Sequence, residues 1–316
     1  MLWNAWIMNN RWKILNSPMP LKHSLKLLVK KATQTLTKHG VDSPELNARM
    51  LLAYVLGIEE WQLSVYRQEI TPEQTNKLES LIQQRSKRIP LQHLIGSVGF
   101  YGLEIEVSPS ALIPRPETEL LVETVLKTIQ QKQAQHTPAK LLDLATGTGC
   151  IALALAKELP TAQVWGLDIS QAALKLARMN AVHAGLENRV TWIESDLWKS
   201  IEDSKFQWDY IVSNPPYIPS YEIHELEPEV RDHDPMLALD GGEDGLDFYR
   251  TLAIQAAQWT SENGYIFLEC GKDQAPAIKS LFKSASWFAD QVVRDYNDIQ
   301  RILVFRKGTN TDPHDQ

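Results

Sequence analysis

Apolar positions in the first part of the chain recur at helical spacing. Leu25, Leu28, Val29, Ala32 and Leu36 form one stripe. Ser43-Pro44-Glu45 reads as a helix start, with Ser43 as N-cap and Pro44 at the first helical position, and Gly57 ends that helix. Thr71-Pro72-Glu73 repeats the signal ahead of Leu78, Leu81 and Ile82. No strand pattern interrupts residues 21–89, which predicts a small N-terminal helical-bundle domain. Across 90–112 the texture changes: Gly96, Gly99 and Gly102 punctuate the chain, and residues 103–107 alternate apolar and polar, as in a β-hairpin connector. A helix follows through Leu120, Leu121, Val125 and Ile129, then a polar loop over 130–138. Beyond Lys140, strand and helix patterns alternate. Strands are expected at 141–144, 163–168, 189–193, 210–212, 265–269, 287–293 and 301–305, and helices at 151–159, 171–184 and 248–259. Such alternation predicts an α/β fold, a parallel sheet with helices on both faces, the last two strands forming an antiparallel edge.

Composition narrows the function classes. Of 316 residues, 43% are hydrophobic and 22% charged, an ordinary globular balance, and the formal net charge is −7. That charge argues against holding long nucleic acid through phosphate contacts, so no stable nucleic-acid binding is expected. The only cysteines, Cys150 and Cys270, offer neither a disulfide framework nor metal-ligand spacing, which fits a reducing cytoplasm and no metal. No apolar run approaches a membrane span. Residues 1–20 carry Trp3, Trp6 and Trp12 among polar residues without the apolar core of a signal peptide; they and 308–316 are expected to be disordered.

Asn214-Pro215-Pro216-Tyr217 follows the apolar run at 210–212. Two prolines cannot continue a strand, and Pro215 drives Asn214 out of the α region. The result is a stiff loop at the carboxyl end of a strand, where ligands bind in open α/β sheets. An amide oxygen and a backbone carbonyl there can accept both hydrogens of a substrate NH2 group, and the Tyr217 ring can lie on its plane. The plain alternative is a rigid turn with a packed tyrosine. A second site pattern follows the first strand of the alternating region. Asp143 precedes Ala145-Thr146-Gly147-Thr148-Gly149, whose glycines permit a tight turn and close ligand approach. The spacing departs from the dinucleotide pattern, and a carboxylate at Asp143 would repel pyrophosphate but pair with a cationic amino group. Asp168 ends the next strand, where an acid accepts bonds from ribose hydroxyls. Asp196 ends the third and can meet an exocyclic amine. Together these acids suit an aminoacid-sulfonium nucleoside. Each taken singly also reads as a helix cap or a solvated strand end. Cys150 reads as a packed residue rather than a nucleophile.

With these residues assembled, the chain resembles the class I S-adenosylmethionine-dependent methyltransferases, and more narrowly the peptide chain release factor glutamine N5-methyltransferase family. The resemblance spans roughly 21–307 and rests on ordered motifs: 90–96 with Phe100-Tyr101-Gly102, Leu112-Ile113-Pro114-Arg115-Pro116-Glu117-Thr118-Glu119, 141–155, and 212–218. It implies a Rossmann-like seven-stranded methyltransferase domain over 113–307, with S-adenosyl-L-methionine as cofactor. Residues 145–149 would cradle its methionine part, Asp168 its ribose, and 214–217 the target glutamine amide. Class 1 release factors would be the partners, recognised through the helical domain. Two departures stand out. Ala145 replaces the family's usual glycine and would be costly at positive φ. Leu197, followed by Trp198, stands where an aromatic flanks adenine. The competing readings are an adenine-N6 or cytosine-N4 nucleic-acid methyltransferase, a non-catalytic release-factor or ribosome adaptor, and a nicotinamide dehydrogenase. The acidic segment 225–240 reads equally as a cover over the substrate pocket or as a surface loop.

Overall fold

The structure is a computed structural model and describes residues 21–132, 138–202 and 206–308. The expected extension at 1–20 and most of the expected tail lie outside the described residues. The chain divides into two compact units, the first ending at Ile95 and the second beginning at Gly96. In the first unit, α1 (Leu21–Lys38), α2 (Pro44–Leu56), α3 (Pro72–Ser86) and the short α4 (Leu91–Ile95) close around Leu36, Leu51, Leu52, Leu78 and Ile82. The stripe read from the sequence supplies that core. Gly57 is left-handed and caps α2, and Thr71 forms a reciprocal capping box with Gln74. Ser43 does not act as the expected N-cap. It is left-handed (φ 47°) and its side chain makes no capping bond. The Asn47 amide instead donates to the Asp42 and Ser43 carbonyls at 3.0 and 3.1 Å. Leu91 is buried in the helical core, so this unit runs past the boundary placed after residue 89.

The second unit begins with a two-stranded antiparallel hairpin, β1 (Ser97–Phe100) and β2 (Leu103–Glu106). A seven-stranded sheet follows in the order β5 (Val190–Glu194), β4 (Gln163–Asp168), β3 (Lys140–Leu144), β6 (Trp208–Ser213), β7 (Thr260–Glu269), β9 (Gln300–Lys307), β8 (Trp287–Arg294). The first five are parallel to one another, while β9 runs antiparallel to both β7 and β8. This is the Rossmann-like seven-stranded arrangement that the resemblance implies. Helices α5 (Pro116–Lys132), α6 (Cys150–Glu158) and α7 (Gln171–His183) follow. The segment 225–240 contains two single-turn helices, α8 (Pro228–Arg231) and α9 (Met236–Leu239). Next comes α10 (Asp247–Trp259), where the pattern placed a helix, and then α11 (Ala275–Ser284), which was not expected.

Period-two side-chain direction splits the buried strands between two cores. Leu141, Val212, Phe267 and Val304 pack with α5 and α6 on one face. Leu142, Ile211, Ile266, Leu268 and Leu303 pack with α10 and α11 on the other. Trp198 belongs to the second core and stacks on Trp259 with ring centroids 5.4 Å apart.

At the end of β3 the chain must turn abruptly into the glycine loop, and Ala145 takes a left-handed conformation (φ 56°) to do so. A Cβ in that region costs roughly 1–2 kcal/mol, partly offset by the greater unfolded-state entropy of glycine. Ala145→Gly is therefore expected to raise stability by about 0.5–1 kcal/mol. Denaturant unfolding of the full chain measures it, and an unchanged or lowered midpoint would contradict the strain.

Candidate functional site

From β3 the chain winds outward through β4 to β5, and from β6 it winds the other way to β7. The two directions part at the carboxyl ends of β3 and β6, the place where an open α/β sheet leaves a crevice. The Ser213 hydroxyl donates to the Leu144 carbonyl across this point at 2.7 Å. A cleft of about 250 Å³ opens there, entirely within the second unit.

The loop after β3 forms one wall through Ala145, Thr146, Gly147 and Thr148. Asp143 does not face the cleft as expected. It is fully buried beneath the loop, accepting from the Thr146 hydroxyl at 2.5 Å and from the Ala152 N–H at 3.2 Å. Burial pushes its carboxyl up to about 7, against the pull of those two donors. Asp143 thus ties the loop to the start of α6 instead of presenting charge to a ligand. Gly149 also lies behind the wall. It is left-handed (φ 81°), and a Cβ there would stand 2.8 Å from the Trp192 ring and 3.0 Å from Ala177. Glycine is required here by packing and backbone conformation, whereas Gly147 (φ 54°) lines the cleft.

Asp168 sits at the end of β4 and lines the cleft. Its Oδ2 accepts from the Gly147 N–H and its Oδ1 from the Ser170 N–H, both at 2.8 Å. Burial raises its carboxyl above the usual range while these backbone donors oppose the rise. Held by two amides, it keeps lone pairs for further donors. Asp196 and Leu197 form the wall beyond β5, and Asp196 bonds the Lys199 ammonium. Leu197, not the core-packed Trp198, is the residue on the cleft. Cys150 reaches the cleft too, but burial pushes its thiol up to about 12, which keeps it neutral and unsuited to nucleophilic attack.

Asn214 and Pro216 line the opposite wall. The Asn214 Nδ2 donates to Thr118 Oγ1 at 3.0 Å, and Thr118 Oγ1 donates to Glu269 Oε2 at 2.7 Å. The Asn214 Oδ1 is buried and has no hydrogen-bond partner. Buried polar atoms are rarely left so. Pro215 and Tyr217 are not on the cleft wall. Pro215 is buried, and the Tyr217 ring packs against the core on the α10–α11 side of the sheet. Its phenol lies near the Glu269 carboxylate, and burial holds it well above the usual phenol range.

Several wall residues were not assigned roles from sequence. Thr118 and Arg115 come from the 112–119 motif, which marked the resemblance without revealing which side chains face inward. Arg115 donates to Asp234 at 2.8 Å. Pro235, Leu237 and Ala238 bring part of the acidic segment onto the cleft wall. Phe248, from the first turn of α10, carried no signal beyond the helix pattern.

The lining charges are the acids Asp168 and Asp196 and one cation, Arg115, already paired with Asp234. That donor set suits a sulfonium nucleoside with hydroxyl and amine donors and is poorly matched to a pyrophosphate. Among the described residues, no cluster of His, Cys, Asp and Glu is placed to hold a metal ion, and no helix is long and apolar enough to cross a membrane.

Comparison with known proteins agrees with this geometry. Residues 28–96 match the family described as the PrmC N-terminal domain, and 116–226 match the methyltransferase small domain. A release factor glutamine methyltransferase of Thermodesulfovibrio yellowstonii is 40% identical over 260 residues, covering 82% of this chain and 91% of that protein. That of Geobacter sulfurreducens is 40% identical, covering 86% and 93%, and that of Agrobacterium fabrum 38%, covering 87% and 95%. With this identity over nearly the full length of its relatives, the chain belongs to the release factor glutamine methyltransferase family.

Proposed function

We propose that this protein transfers a methyl group from S-adenosyl-L-methionine to the side-chain amide nitrogen of a glutamine, the one in the Gly-Gly-Gln loop of class 1 release factors. The observation that carries the reading is Asn214 Oδ1, a buried acceptor with no partner beside the cleft. A primary amide supplies the missing donor. The partner assignment is supported by the relatives' shared activity and the matched N-terminal domain.

The cofactor fits the wall formed by 145–148, Asp168, Asp196 and Leu197. Asp168 would take the ribose hydroxyls, Gly147 lets the backbone approach, and Asp196 with Leu197 would meet the adenine. When bound, the cofactor supplies an electrophilic methyl on a sulfonium. An amide nitrogen is a weak nucleophile because its lone pair is delocalised into the carbonyl. Asn214 Oδ1 would accept one of its N–H groups. That acceptor becomes more favourable as positive charge builds on nitrogen, so it stabilises the transition state more than the ground state. The Pro215-Pro216 pair holds it rigidly and so supplies orientation. Tyr217, packed beneath this loop, would support it from behind.

Asn214→Ala is expected to lower kcat by about 100-fold or more while shifting the cofactor Kd by less than about threefold. Single-turnover kinetics and calorimetry measure the two; unchanged turnover contradicts the assignment. Asp168→Ala, with its fold verified by circular dichroism, should weaken cofactor binding about 10- to 100-fold, and retained affinity would remove it from the ribose site. The substrate is tested by transfer of labelled methyl to a purified release factor and to the same factor with its loop glutamine replaced by alanine. Label confined to the first supports the reading. Equal label in both, or label only in added DNA or RNA, overturns it.

A further inference from the structure

The direction in which the Asn214 amide points is set from outside the Asn-Pro-Pro-Tyr loop. Strands β6 and β7 are parallel with Ser213 opposite Leu268, so Asn214, just past the end of β6, lies beside Glu269, the last residue of β7. Thr118, in the first turn of α5, bonds to both. A hydroxyl has one proton. Given to the Glu269 carboxylate, which accepts only, it leaves Thr118 Oγ1 able to accept but not to donate. The Asn214 atom facing it must then be the Nδ2 donor, and the other end of the amide, Oδ1, is the one without a protein partner.

We propose that Thr118 and Glu269 are positioning residues that hold the Asn214 amide with its oxygen toward the substrate, and that proton uptake by Glu269 reverses this orientation. The proposal rests on the amide-methylation reading above. A protonated Glu269 can donate to Thr118, which can then donate to Asn214 Oδ1. The flipped amide would present its NH2 to the substrate NH2, a donor against a donor. The groups around Glu269 decide when this happens. Arg301 on β9 favours the carboxylate, as does the nearby Tyr217 phenol, while Glu117 on α5 opposes it. Cys150, Cys270 and the Tyr249 phenol, which donates to the Glu269 backbone carbonyl, are neutral neighbours. Burial is the largest influence and pushes the carboxyl up to about 7. Because the folded group protonates more readily than an exposed glutamate, the acceptor orientation prevails above neutrality and is lost as pH falls through that value.

The test is single-turnover methyl transfer to a release factor as a function of pH, from about 5.5 to 9, for wild type, Thr118→Val, Thr118→Ser and Glu269→Gln. Wild type should lose rate about tenfold per pH unit below about 7. Glu269→Gln cannot change protonation, and its profile should lack that acid limb. Thr118→Val should lower the rate at pH 8 at least about tenfold with KM for the release factor changed less than about threefold, and Thr118→Ser should recover most of it. A flat wild-type profile, an acid limb retained in Glu269→Gln, or a wild-type rate in folded Thr118→Val overturns the proposal. If wild type transfers no methyl at any pH, the functional reading is at fault. Neutron diffraction from the full chain still decides the relay. The Thr118 proton should face Glu269 at about pH 8.5 and Asn214 at about pH 5.5, and a proton unmoved between them overturns it.

Discussion

An amide oxygen buried without a hydrogen-bond partner costs about 1–3 kcal/mol, and Asn214 Oδ1 is such an atom. The rest of the site is arranged so that this cost cannot be relieved internally. Two prolines after Asn214 remove backbone freedom that would let the side chain turn to water. Thr118 occupies the other end of the amide. The strand order places Asn214 at the point where β3 and β6 diverge, opposite the glycine loop and Asp168. A substrate amide relieves the cost, and its binding energy is then available at the nitrogen that reacts.

The glycine loop shows a similar trade of local stability for position. Asp143 is sequestered under it, uncharged at a pH well above the ordinary carboxylate range, to tie the loop to α6. Ala145 holds a backbone conformation better suited to glycine, and Gly149 yields its side-chain space to Trp192. Strain and buried polar groups concentrated at a strand end are characteristic of a site where geometry matters more than stability.

Much of the fold was legible in the sequence because buried parallel strands and amphipathic helices leave strong periodic signals. The strand at 163–168 and the helix beginning at Gln171 appear where the pattern placed them. Helix α11 escaped because Pro276 and a run of small and charged residues obscure its apolar stripe of Ala275, Ile278 and Phe282. Side-chain direction was less legible than position. Ala145, Thr146, Gly147, Thr148, Asp168, Asp196, Leu197, Asn214 and Pro216 line the cleft, while Asp143, Gly149, Pro215 and Tyr217, all within the same short motifs, do not. A motif fixes where the chain passes, but the facing of each residue depends on neighbours distant in sequence. Trp192 displaces any side chain at Gly149, and the Tyr217 ring packs into the core on the α10–α11 side. Thr118 lies 96 residues from Asn214, and only the folded sheet brings the two together.

The most direct measurement is a crystal structure of the full chain with S-adenosylhomocysteine and a release-factor fragment carrying the Gly-Gly-Gln loop. The glutamine amide nitrogen should lie about 3 Å from Asn214 Oδ1, with Asn214 Nδ2 still on Thr118. A glutamine seated elsewhere, or bound with Asn214 Oδ1 left unpaired, would contradict the account.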